Sequence, residues 1–148
     1  KQNFADFDLN KTEITDLKKY CNYLPDRLIP FFEGAIKNHH YTKLALKEFQ
    51  KPTLDLKKIG ELMNAHHAVL RDLLKITVPR IDAMINAALK AGAYGAKIVG
   101  SGGGGSIVVL AEPGNEAPIV DAILAAGAIQ AYTVTVDPGV RTIANSKI

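Results

Sequence analysis

Residues 95–110 constrain the fold more tightly than any other part of this chain. They read Gly-Ala-Lys-Ile-Val-Gly-Ser-Gly-Gly-Gly-Gly-Ser-Ile-Val-Val-Leu. Five of the six positions from Gly100 to Gly105 are glycine, and apolar, β-branched residues flank the run on both sides. Glycine accepts positive φ and lets a ligand come close to the backbone. Successive N–H groups that converge make an anion site, and phosphate is the usual guest. The stretch therefore reads as two strands, 95–99 and 106–111, joined by a phosphate-handling loop of Gly100, Ser101, Gly102, Gly103, Gly104 and Gly105. Lys97, just before the loop, is a possible charge partner for phosphate, with a structural ion pair as its competing role.

A solvated spacer would have the same glycine-serine composition. The run is short, however, and sits between two patterns typical of buried strand. The residues beyond Gly105 are also too few to fold alone. Two nucleotide motifs fail on their details. A Walker A loop ends in Lys-Ser or Lys-Thr, whereas Gly105 is followed by Ser106 and Ile107. The dinucleotide pattern is met by Gly100, Gly102 and Gly105, but it must open a helix, and here a strand follows.

The rest of the chain supplies mostly helices. Residues 3–9 alternate enough for a short strand. Thr12–Leu24 reads as a helix ended by Pro25, and 26–50 as a longer one, with Pro30 either kinking it or sitting in its first turn. Over 55–74, Leu56, Ile59, Met63, Leu70 and Leu74 form one apolar stripe opposite Glu61, Ala68 and Asp72. Pro79 starts a further helix that closes at Gly92. A last helix covers 117–126, followed by a strong strand at Ile129–Val136 and a short edge strand near 140–143. The order β, helices, β, β, α, β is an α+β, ferredoxin-like split β-α-β-β-α-β sandwich, with extra helices in the first crossover.

Size and composition set outer limits. The 148 residues fit one domain, and a formal charge of +3 without a basic, aromatic-interleaved stripe speaks against nucleic acid. No apolar run approaches a membrane span, so no membrane partner is expected. The single cysteine, Cys21, excludes an internal disulfide, fits a reducing compartment such as the cytoplasm, and is expected to be a helix packing position. The chain opens at Lys1 and its methionines are Met63 and Met84. It is therefore expected to be a processed product or a fragment.

The polar residues alone do not make an active site. His66 and His67 are adjacent and point about 100° apart, as do His39 and His40, whereas helix-borne metal ligands come at i and i+4. They read as histidines hydrogen-bonded at a helix interface, and no metal site is expected. Asp82 complements the start of its helix. Ser101 and Ser106 lack a recognisable base.

Residues 60–110 resemble the C-terminal domain of the GHMP kinases, the family of galactokinase, homoserine kinase, mevalonate kinase and phosphomevalonate kinase. The third motif of that family is similar to Lys97-Ile98-Val99-Gly100-Ser101-Gly102-Gly103-Gly104-Gly105-Ser106, with every fixed glycine matched. Val99 stands in place of a threonine, and Ser101 in place of alanine or glycine. Upstream, Gly60-Glu61-Leu62-Met63-Asn64 with His67, Leu70, Arg71 and Asp72 is similar to a helix of the galactokinases. The resemblance implies transfer of the γ-phosphoryl of ATP to a small-molecule hydroxyl, a sugar in the galactokinase-like reading, and a mevalonate-type alcohol in the next. It also implies that ATP and Mg2+ are bound mainly by an N-terminal kinase domain whose phosphate loop is absent from these residues. That domain would be this chain's partner and would hold the catalytic residues, so the isolated chain should be inactive. The rival to an enzyme is a stand-alone ferredoxin-like module that senses an anion or other ligand through the glycine loop.

Overall fold

The computed structural model describes residues 7–137 and Gly139. Five α-helices and one antiparallel hairpin follow one another: α1 (Leu17–Cys21), α2 (Ile29–Phe49), α3 (Leu56–Asp72), α4 (Pro79–Lys90), β1 (Gly95–Val99), β2 (Ser106–Leu110) and α5 (Glu116–Ala125). The starts of α2, α3 and α4 each have a local cause. Asp55 caps α3 by accepting the Lys58 N–H at 2.9 Å. Pro79 opens α4, where its missing N–H costs nothing, and Pro30 sits in the first turn of α2 rather than kinking it. Gly92 and Gly127, both at positive φ, follow the ends of α4 and α5.

The expected 12–24 helix is reduced to a short 3-10 turn at Ile14–Asp16 followed by α1, because the chain already turns at residues 22–24 before Pro25. The larger correction concerns Ile129–Val136. Among the described residues this segment joins no ladder and forms no backbone hydrogen bond; Ile129 is 89% and Val136 99% exposed. Its β-branched sequence suits a strand, but a strand exists only when a neighbouring strand accepts it. Phe7 and Asp8 lie in no strand, while residues 3–6 and the expected edge strand at 140–143 fall outside the described residues. The fold is thus α+β, with helices against a small antiparallel sheet. Among the described residues the sheet has two strands rather than the four of a full split β-α-β-β-α-β plan.

One face of the hairpin packs into the core. Ala96 and Ile98 of β1 meet Ile81, Met84, Ile85 and Ala88 of α4, Leu70 of α3, and Ile119 and Ile123 of α5. Ile107 and Val109 of β2 cover the margin of the same cluster. On the far side α2 lies along α3, with Ile36 buried. Phe7, Tyr20 and Phe32 make a small ring cluster that joins Phe7 to α1 and α2.

Candidate functional site

The glycine loop is held from below by the segment between α3 and α4. The Gly103 N–H donates to the Ile76 carbonyl at 2.7 Å. A Cβ on Gly102 would run into that same carbonyl and into the Ile76 side chain, so only glycine allows this approach. On the other side the loop is open. A Cβ at Gly100, Gly103, Gly104 or Gly105 would meet nothing within 4 Å.

The Ile76–Thr77 support is itself anchored by a polar network through three elements. The Thr77 hydroxyl donates to Asp82 Oδ2 at 3.1 Å, and Asp82 Oδ1 lies 3.3 Å from His67 Nε2. The other ring nitrogen of His67, Nδ1, accepts the Ile98 N–H at 3.4 Å. That bond assigns the imidazole proton to Nε2, which donates to Asp82. Burial lowers the His67 pKa below its ordinary 6.5, against the pull of the Asp82 carboxylate. The ring, 3% exposed, is therefore a neutral connector between α3, α4 and β1. This is the interface histidine that the sequence suggested. The support at Ile76 and Thr77 had no sequence signal, since a carbonyl contact does not depend on side-chain identity.

The close seam between α3 and β1 positions the start of the loop. Gly60 and Gly95 touch backbone to backbone: a Cβ on Gly60 would overlap Tyr94, and one on Gly95 would overlap Gly60. Four residues on from Gly60, Asn64 uses its amide as a double clip. Its Nδ2 donates to the Tyr94 carbonyl at 3.2 Å and its Oδ1 accepts the Ala96 N–H at 2.9 Å. Gly60, Asn64 and His67 therefore occupy one helix face because each serves the edge of β1.

Lys97 points elsewhere. Its Nζ donates to the Ile98 carbonyl, and the side chain lines a cavity of about 210 Å³ with Tyr41, Phe49, Met63 and His66. No loop glycine lines that cavity. Burial lowers the pKa of Lys97, and it lowers that of His66, which the Lys97 charge depresses further. Ser101 is exposed at the loop tip and Val99 is exposed before it. Cys21 is half-buried, its thiol pushed up by burial and by Glu33, as a packing residue would be.

Among the described residues no three histidine, cysteine or carboxylate groups converge as metal ligands. The described residues thus do not fit a magnesium site of their own. Among the described residues no helix is long and apolar enough to cross a membrane. The loop is open on one side, and its side-chain polar group is the exposed Ser101 hydroxyl. Such an arrangement can seat and orient an anion or the wall of a neighbouring site.

The model of the GHMP kinases C terminal family matches residues 45–130, more than half of the chain. The chain belongs to the GHMP kinases. Its match spans the whole of the α3–β1 seam and the glycine loop. The GHMP relatives include mevalonate kinase of Pyrococcus horikoshii, 33% identical over 131 residues, which are 88% of this chain and 38% of the relative. Galactokinase of Chloroflexus aggregans is 32% identical over 123 residues, 82% of this chain and 31% of the relative. Among solved structures, the Lactococcus lactis galactokinase complexed with galactose superposes with a TM-score of 0.74 at 28% identity, covering 84% of this chain and 32% of that one. The L. major mevalonate kinase in complex with R-mevalonate gives 0.59 at 27% identity, covering 75% and 32%. The chain therefore spans about a third of the length of these relatives.

Proposed function

We propose that this chain is the C-terminal part of an ATP-dependent small-molecule kinase that moves the γ-phosphoryl of ATP to a sugar hydroxyl, as a galactokinase does. The observation that carries this reading is the conjunction at the glycine loop. The loop is pinned beneath at Ile76 and left open above, and it lies within a chain that superposes on a galactokinase with a TM-score of 0.74. Phosphoryl transfer depends mainly on positioning and on stabilising charge on the phosphoryl oxygens. In this reading Gly100–Gly105 form a wall of the cleft and present backbone N–H groups, other than the one Gly103 gives to Ile76, toward phosphate or substrate; Lys97, turned to the cavity beside His66, takes no part in it. ATP and Mg2+ are held mainly by the rest of the polypeptide, which also supplies the catalytic residues. The isolated chain does not turn over. A cytoplasmic location accords with the single free Cys21.

The mevalonate reading has its own support in the Pyrococcus horikoshii relative. ATP consumption by the polypeptide encoded by the complete gene, assayed with galactose and with mevalonate, separates the two. Galactose-dependent ADP release is expected. Mevalonate-dependent release would transfer the assignment, and release with neither would remove both. In that same polypeptide Gly104→Val should reduce turnover on the order of 100-fold, because a side chain would fill the open face of the loop. Its folding stability should fall by only about 1–2 kcal/mol, the cost of holding valine at positive φ. Unchanged turnover in the folded variant would overturn the role of the loop.

A further inference from the structure

The cavity beside Lys97 belongs to no part of the glycine loop, and its walls have a chemistry of their own. Ala45 and Phe49 of α2 face Ile59, Leu62 and Met63 of α3 across about 210 Å³. Ile59 and Leu62 are buried, whereas Phe49 is 57% exposed, so the cavity reaches solvent along α2. Helix side chains four residues apart share a face, which is why Ala45 and Phe49 line it together, as do Ile59 and Met63.

Into this apolar space β1 sends a cation. Ala96 and Ile98 turn to the core, so strand alternation turns Lys97 to the opposite face. An ammonium has three N–H donors, and one of them goes to the Ile98 carbonyl at 2.9 Å. Beside it stands His66, which lines the same cavity. Burial disfavours positive charge on both groups, and on His66 the charges of Lys97 and His67 disfavour it further. Among the described residues no carboxylate lines the cavity or offsets those influences. A charge held against apolar walls is costly unless it is paired. One negative charge placed between Lys97 and His66 would satisfy both.

We propose that this cavity binds a small monocarboxylate with an apolar body, its carboxylate on Lys97 Nζ and the His66 ring and its body against Ala45, Ile59, Leu62 and Met63. The charge is set by the donors. Lys97 brings one positive charge and a neutral imidazole brings a hydrogen bond, so a single anionic group is matched. A phosphate dianion would keep one charge unpaired against apolar walls. The size follows from the volume. An apolar cavity of about 150 Å³ holds benzene, so this one suits a body of roughly six to eight carbons. The ligand would press on β1 three residues before Gly100, where the strand enters the glycine loop.

Calorimetric titration of the polypeptide encoded by the complete gene tests this, with benzoate as the probe. Benzoate should bind with a Kd of about 1 mM or lower. Benzamide, of the same shape without the charge, should bind at least about 10-fold more weakly. Lys97→Met keeps the stem and removes the ammonium, and should cost benzoate about 10-fold or more in affinity. Ala45→Phe fills the cavity and should abolish binding there while Lys97 remains. In the unaltered protein the NMR signals of the His66 ring should shift as benzoate is added, a readout that needs no variant. Absence of benzoate binding, equal affinity for benzamide, or unmoved His66 signals at saturation would each overturn the site. Unchanged affinity in folded Ala45→Phe would place benzoate elsewhere and overturn it equally. Tighter binding of phenyl phosphate than of benzoate would overturn the single-charge assignment.

Discussion

On one side of the hairpin, β1 has its outward N–H groups taken by Asn64 and His67, and a glycine-on-glycine contact brings α3 against it. On the other side, β2 lines a cavity of about 920 Å³ together with residues 127–134, and among the described residues no backbone hydrogen bond joins the two. Both edges began with the same problem, a row of unsatisfied backbone groups. A helix solves it with side chains, which can be encoded within a few residues. A strand solves it with backbone, which needs a partner from elsewhere in the chain.

The closed edge should break first and hardest. Gly60→Val would force α3 away from Tyr94 and Gly95, and a loss of about 3 kcal/mol or more is expected in urea unfolding. A loss below about 1 kcal/mol would mean that the seam is looser than the contact implies. Asn64→Ala leaves the Ala96 N–H, at a residue with no exposed surface, without its acceptor. It should cost about 1–3 kcal/mol, by the same measurement.

Acid should weaken the same edge. Burial holds His67 and His66 below their ordinary pKa of 6.5, so between the lowered folded value and 6.5 the unfolded chain binds more protons. Stability is then fully present above about pH 6.5 and declines as pH falls toward the folded pKa values. A His67→Asn variant, measured across that range, should have a shallower decline. An identical slope would remove His67 from the linkage. The smallest effect belongs to the open edge. Val109→Pro in the isolated chain should shift stability by only about 1 kcal/mol or less, since among the described residues the lost N–H meets no backbone acceptor. A larger loss would mean that the open edge already has an unrecognised partner.

The helices were legible because their causes are local. The apolar stripe of 55–74, Asp55 as its cap and the prolines at 30 and 79 each act within one or two turns. The hairpin was legible because a glycine run between two β-branched segments permits little else. At the site, Gly100–Gly105 could be read directly. The purpose of Gly60, Asn64 and His67 could only be recognised as a pattern, since Asn64 and Ala96 are 32 residues apart and spacing says nothing of their contact. The carbonyl of Ile76 beneath the loop was beyond any reading of residue types.

Ile129–Val136 marks the boundary between the two kinds of information. By itself the sequence determined a strand-forming segment there, from the same β-branched preference that places β1 and β2. Whether that preference becomes a strand was decided by tertiary structure, because β1 and β2 are joined by a short loop that holds them in register. Residues 127–134 instead line a cavity with β2, and no backbone bond among the described residues joins them to it. Helical hydrogen bonds close within four residues, whereas a strand's bonds belong to whichever neighbour the fold supplies.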